Sequence, residues 1–105
     1  MHTLVVQMSI DPSRAQEVAR HLRDDVAGWA QQQPGFVAGQ WLGSPDGRTG
    51  IGVVVFDSEN AASRAAQGPR SYLRDERRAW NIEAVTVYEQ LASAGPQSAT
   101  RINAT

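Results

Sequence analysis

Residues 2 to 36 read HTLVVQMSIDPSRAQEVARHLRDDVAGWAQQQPGF, and the fold turns on this stretch. Leu4, Val6, Met8 and Ile10 alternate with Thr3, Val5, Gln7 and Ser9. A period of two with β-branched residues predicts a strand over 2–10. The second face carries Val5 and otherwise small or neutral polar groups, which suits a strand covered on both sides. Asp11-Pro12 then starts a helix: the carboxylate caps free backbone N–H groups, and proline fits the first helical position. Ala15, Val18, Ala19, Leu22, Val26, Trp29 and Ala30 recur at three- and four-residue steps, while Arg14, Arg20, Arg23 and Asp24 fall off that stripe. Pro34-Gly35 stops the segment, so the spacing predicts an amphipathic helix over 12–33.

The pattern then repeats. FVAGQWL at 36–42 and IGVVVF at 51–56 read as strands joined by the turn-rich Gly43-Ser44-Pro45-Asp46-Gly47. Gly39 and Gly52 lie inside these strands and point to a bulge or to close approach by another backbone or a large side chain. Asp57-Ser58 caps a second helix, for which Ala61, Ala62, Ala65 and Ala66 are strong formers. Gly68-Pro69 interrupts that helix, and the spacing predicts that it resumes at Arg70 and runs to about Trp80. AVTVYEQL at 84–91 is the fourth strand. The domain is read as 1–92, with a frayed tail over 93–105.

The order β-α-β-β-α-β with right-handed crossovers yields an α+β, ferredoxin-like sheet with both helices on one face. The opposite face needs a cover. Val5 beside Val6, Val54 beside Val55, and Val87 beside Tyr88 make the strands apolar on both sides. A lone subunit would expose that surface. A homodimer through the open sheet face resolves the conflict, because burying several hundred Å² contributes several kcal/mol at about 25 cal/mol per Å².

Composition narrows the function classes. The chain has 105 residues, 41% hydrophobic and 20% charged, with a net charge of −1. Every basic residue is an arginine. Without a basic excess, neither a nucleic-acid partner nor a membrane-surface partner is expected. Cysteine is absent, which removes disulfides, thiolate metal sites and thiol catalysis. His2 and His21 are too sparse for a histidine metal motif, so no metal is expected. No apolar run is long enough to span a membrane. The N-terminus lacks the basic and apolar regions of a signal peptide, and a cytoplasmic location is expected.

With these elements in place, the sequence resembles the dimeric α+β barrel superfamily of antibiotic biosynthesis monooxygenases over residues 2 to about 92. The resemblance rests on Pro34-Gly35-Phe36 closing the first helix, the Gly/Asp hairpin, VVVF followed by Asp57-Ser58-Glu59-Asn60-Ala61, and Gly68-Pro69 in the second helix. It implies a pocket between each sheet and its own helices. It also implies oxidation of electron-rich aromatic or quinol substrates without metal or flavin, or haem degradation; other members have no assigned reaction. No cofactor is therefore expected. Phe56 stands where the family often has Trp, and Arg64 and Arg70-Ser71-Tyr72 stand where it commonly has His. The haem-degrading branch uses an Asn on strand one and both a Trp and a His on helix two. Gln7 is the nearest match to the Asn and the His is missing, so the resemblance points away from haem degradation.

The residues themselves suggest several roles. On a continuous second helix, Tyr72, Glu76 and Trp80 would share one face. Glu76 among aromatics could accept a proton, with Tyr72 beside it; alternatively Glu76 pairs with Arg77 or Arg14. Gln7 could orient a ligand carbonyl or bond a neighbouring group. Trp41, Trp29, Phe56 and Trp80 could line an aromatic cavity or pack the core. Arg70 could meet an anionic substrate or face solvent. His21 lies off the centre of the first helical stripe; it is a conceivable general base and reads more simply as a half-exposed flank residue. Three functions stay open. One is a cofactor-independent oxygenase or related oxidoreductase on a small aromatic or quinol substrate. Another is a non-catalytic ligand-binding or stress-associated barrel protein, and the third a structural or partner-binding dimer with a filled interior. A cavity between sheet and helices, with Gln7 or Glu76 facing it, separates the first two: a cavity that both avoid favours passive binding.

Overall fold

The computed structural model describes residues 1–96. Its sheet is built from β1 (His2–Ile10), β2 (Phe36–Gly43), β3 (Thr49–Phe56) and β4 (Trp80–Glu89). The strand order is β2-β3-β1-β4, with all neighbours antiparallel. This is the split β-α-β arrangement expected from the element order, with both helical segments packed on one face.

The first helical segment covers 12–31. It begins as a 3₁₀ turn (Pro12–Arg14), becomes α-helical (Ala15–His21), passes through a π-helical turn (Leu22–Val26) and ends as α-helix (Ala27–Gln31). Asp11 caps it, accepting from the Ser13 amide at 3.0 Å. The regular helix expected from the stripe is thus interrupted by a π turn, a feature common near functional sites. Gly35 follows at φ 81°, and a methyl there would lie 2.6 Å from both Ala61 Cβ and Asp57 Oδ1. Only glycine fits that link between helix and strand.

Leu4, Val6, Val54 and Phe56 point from the sheet into the core and meet Ala30, Ala62, Ala65 and Ala66. Small alanines on the second helix (Glu59–Arg70) let it approach the sheet closely. The large residue expected near Gly52 is Trp41: a methyl on Gly52 would sit 2.9 Å from its Cδ1 and Nε1. β2 also carries an irregularity between Phe36 and Ala38.

Gly68-Pro69 does not interrupt the second helix, which runs through both residues, and the expected continuation from Arg70 to Trp80 does not form. The helix ends at Arg70, and the backbone closes with Ser71 N–H to the Gly68 carbonyl (3.1 Å) and Tyr72 N–H to the Pro69 carbonyl (3.3 Å). The Ser71 hydroxyl donates to the Gly68 carbonyl at 2.6 Å, a local bond that competes with continuation of the helix. Residues 71–79 instead form a loop held by tertiary bonds. Asn81, buried at 6% exposure, accepts from the Asp75 amide at 2.8 Å and donates to the Asp75 carbonyl at 3.2 Å. Arg78 donates to the Leu73 and Trp80 carbonyls, and Arg14 to that of Arg77. β4 consequently begins at Trp80, opposite Ile10, rather than at Ala84, and ends at Glu89. Residues 90–96 are exposed and without regular structure. The rest of the tail expected over 93–105 lies outside the described residues.

Candidate active site

Alternation places Leu4, Val6 and Met8 of β1 on the helix-covered face, and Thr3, Val5 and Gln7 on the other. Between the covered face and the first helical segment lies a cavity of about 340 Å³, within the usual range for small-molecule sites. Leu4, Val6, Met8, Val54 and Ile82 form its floor, and Val18, Leu22, Val26 and Trp29 its roof. Gly68, Pro69, Ser71 and Tyr72 close one side, and Trp41 and Trp80 complete the wall. All three tryptophans of the chain contribute. Gly68 allows the approach of Trp29, since a methyl there would lie 2.8 Å from its Cζ2.

The polar lining is sparse and localised. His21 and Asp25 both line the cavity, four residues apart across the π turn, with Nδ1 and Oδ2 at 2.9 Å. The His21 ring stacks on Trp80 with centroids 5.5 Å apart and planes 15° from parallel. Tyr72 meets Trp80 edge to face at 5.2 Å. The Arg78 guanidinium lies 4.6 Å from the Trp80 ring centroid and 5.3 Å from that of Tyr72, the cation–π geometry that orders such a cluster.

The candidates from sequence divide. Tyr72, Trp41 and Trp80 line the cavity. Phe56 is fully buried in the core beneath it, edge to face with Phe36 at 6.4 Å. Gln7 is exposed on the opposite sheet face, paired with Ile51 and Ala84. Glu76 sits on the 71–79 loop and pairs with Arg74 at 2.8 Å, its side chain 80% exposed. It shares no helix face with Tyr72 and Trp80, because no helix exists there. Arg70 is exposed and makes a long 3.4 Å contact with the Val85 carbonyl. Sequence reasoning passed over Asp25, although its four-residue spacing from His21 was a visible signal; His21 itself sits one-third exposed, on the flank where the stripe angle put it.

On the open face, Glu83 accepts from Ser9 Oγ and Arg74 Nη1, both at 2.7 Å. These bonds, the serine's first, hold its carboxyl below the usual glutamate value of 4.5. The group is exposed and its contribution is screened. Among the described residues no cluster of His, Asp and Glu could hold a metal ion, and no helix is long and apolar enough to cross a membrane.

Compared with protein-family models and with curated proteins, the sequence matches none. Solved structures match over nearly the whole chain. The monooxygenase from the gene ActVA-Orf6 of Streptomyces coelicolor, solved with nanaomycin D, has 19% identity and a TM-score of 0.62, with 91% of this chain and 92% of that chain covered. The haem degrader MhuD of Mycobacterium tuberculosis, with two haems in its active site, has 17% identity and a TM-score of 0.70, covering 90% and 100%. SnoaB, a cofactor-independent oxygenase from Streptomyces nogalater, has 18% identity and a TM-score of 0.58, covering 88% and 94%. This chain shares the ferredoxin-like α+β fold of these proteins. At such identities the fold is what is shared, and the activity must be argued from the cavity. The cavity of this chain is apolar and aromatic, with one polar corner.

Proposed function

We propose that the chain is a cofactor-independent oxygenase, or a related oxidoreductase, acting on a small aromatic or quinol substrate in the cytoplasm. The observation that carries this reading is the 340 Å³ apolar cavity walled by all three tryptophans, with His21, Asp25 and Tyr72 at one corner. Flat aromatic walls suit a planar ligand, and a few convergent polar groups fix its orientation. Apolar walls displace water, which protects reactive intermediates. An electron-rich phenol or quinol supplies its own electrons to dioxygen, so the protein needs only to bind, orient and move protons. The nanaomycin D complex and SnoaB support the choice of chemistry by likeness of fold.

Since Gln7 and Glu76 both avoid the cavity, the sequence-based criterion alone favours passive binding. The polar corner at His21 restores a route to turnover.

The same reading includes a homodimer. The open sheet face carries Val5, Ile51, Val53 and Val55, all only partly buried, flanked by Leu42 at 48% and Tyr88 at 52% exposure. A second copy placed there removes this apolar surface from water.

A thermal-shift screen of quinols and fused-ring phenols tests the binding, followed by oxygen uptake with each hit. A ligand at 100 times its dissociation constant raises stability by about 2.7 kcal/mol. Oxygen consumption with a stabilising quinol supports the oxygenase. Stabilisation without consumption supports the non-catalytic barrel. No stabilisation by any planar aromatic contradicts both.

A further inference from the structure

We propose that His21 and Asp25 form a proton-accepting pair that ionises a phenolic hydroxyl bound in the tryptophan-walled cavity. The inference rests on the aromatic-substrate reading above and adds the group that activates the substrate.

The geometry is that of a base with an orienting partner. Nδ1 of His21 is bonded to Asp25 Oδ2 at 2.9 Å. With Nδ1 as the donor, Nε2 carries the lone pair and is the nitrogen left for a ligand. Among the described residues no protein group bonds Nε2, and the ring lines the cavity with its side chain one-third exposed. Stacking on Trp80 fixes the ring plane. In the proton transfer the phenolic O–H bond breaks, its electron pair stays on oxygen, and a new N–H bond forms at Nε2. The products are a phenolate and an imidazolium. Asp25 stabilises the imidazolium through Nδ1, and the Trp80 face does so by cation–π attraction. The phenolate remains ion-paired to the imidazolium inside apolar walls, where the pairing is strongest. No electrons leave the pair in this step.

Other groups at the cavity are less suited. The Ser71 hydroxyl is committed to the Gly68 carbonyl at 2.6 Å. Tyr72 is itself a phenol and a weak base at neutral pH. Arg78, the charge nearest Trp80 and Tyr72, is a permanent cation and cannot accept a proton. The other histidine, His2, lies at the start of β1 near Glu59 and outside the cavity. Asp25 lies one helical turn after His21, within the π turn Leu22–Val26, at the exposed rim of the cavity with its side chain 69% exposed.

The test uses para-nitrophenol, which is yellow as the phenolate and nearly colourless when neutral. It is bound slightly below its own pKa, and binding is read independently by quenching of tryptophan fluorescence. An apolar cavity without a base suppresses the yellow form, because desolvation disfavours charge. With the pair in place, the bound probe is yellower than the free probe. His21→Gln still binds the probe, more weakly because the ion pair is lost, and turns the bound probe colourless, and Asp25→Asn lowers the ratio of phenolate to phenol roughly tenfold. Both residues are partly exposed, and unchanged melting temperatures confirm that the variants are folded. A colourless bound probe in the wild type, or a yellow one in His21→Gln, overturns the proton-accepting pair while leaving the cavity reading intact. No binding by any of the three proteins overturns the cavity reading and the pair with it.

Discussion

Replacing Asn81 by alanine tests how the cavity wall is held. The side chain is buried and bridges both backbone groups of Asp75, at 2.8 and 3.2 Å, with a weaker 3.3 Å contact from Arg78. Each bridge to the backbone contributes about 1 kcal/mol net, and stranding a half-buried amide adds to the loss. The expected destabilisation is therefore about 2–3 kcal/mol. For a chain of this size that lowers the melting temperature by roughly 10–15 °C and the urea midpoint by about 1–2 M. The 71–79 loop carries Tyr72 into the cavity wall and Arg78 onto Trp80, so its amides should also exchange faster in the variant. Urea melts and native-state hydrogen exchange measure both effects. A loss under about 0.5 kcal/mol, typical of an unremarkable surface change, would show that Asn81 does not organise this loop.

Other expectations follow from the same structure. Gly35→Ala should cost about 3 kcal/mol by chemical denaturation, since the methyl meets Ala61 and Asp57 at 2.6 Å on a left-handed backbone; a neutral result would mean the link relaxes freely. Trp29→Ala should raise the dissociation constant of a planar phenol about 3- to 10-fold in a fluorescence titration, the value of one aromatic contact, and an unchanged constant would place the ligand elsewhere. Wild-type protein should sediment at twice the 11.4 kDa chain mass, and Val53→Asp on the open face at the chain mass; a monomeric wild type refutes the pairing. Because its serine and arginine partners depress the Glu83 pKa, its stabilisation is fully present above 4.5 and fades as the pH falls through its lower folded value. The gap in melting temperature between wild type and Glu83→Gln should narrow below pH 4.5, and a pH-independent gap would contradict that assignment.

Strands and caps were legible because they are local. The alternation of 2–10 matches β1 residue for residue, and Asp11 and Ser58 both cap as read, Ser58 Oγ accepting from the Ala61 amide at 3.1 Å. The dense glycine, proline and aspartate cluster became the β2–β3 turn, pinned by Ser44 and Asp46. The second helix was overextended because Tyr72, Glu76 and Trp80 fit a helical period by coincidence. The loop that follows the helix is held by bonds from Asn81, Arg78 and Arg14, and partners so distant in sequence leave no periodic trace. The same error moved Glu76 to a surface pair with Arg74 and put the start of β4 four residues late. Gln7 followed from a correct strand but the wrong face. In a two-sided apolar strand, alternation tells which residues share a side and not which side the helices cover. His21 precedes the π turn and lies on the flank that the stripe angle indicated, one-third exposed; what the sequence did not show is the cavity that opens beside that flank and the pairing with Asp25.

The indole N–H signals of Trp29, Trp41 and Trp80 give the most direct test, since these three resonances report on the cavity from its roof and its wall. On titration with a soluble fused-ring quinol, all three should shift together and saturate at one dissociation constant. Quinol binding that leaves the three signals in place would contradict an aromatic site between the sheet and its helices.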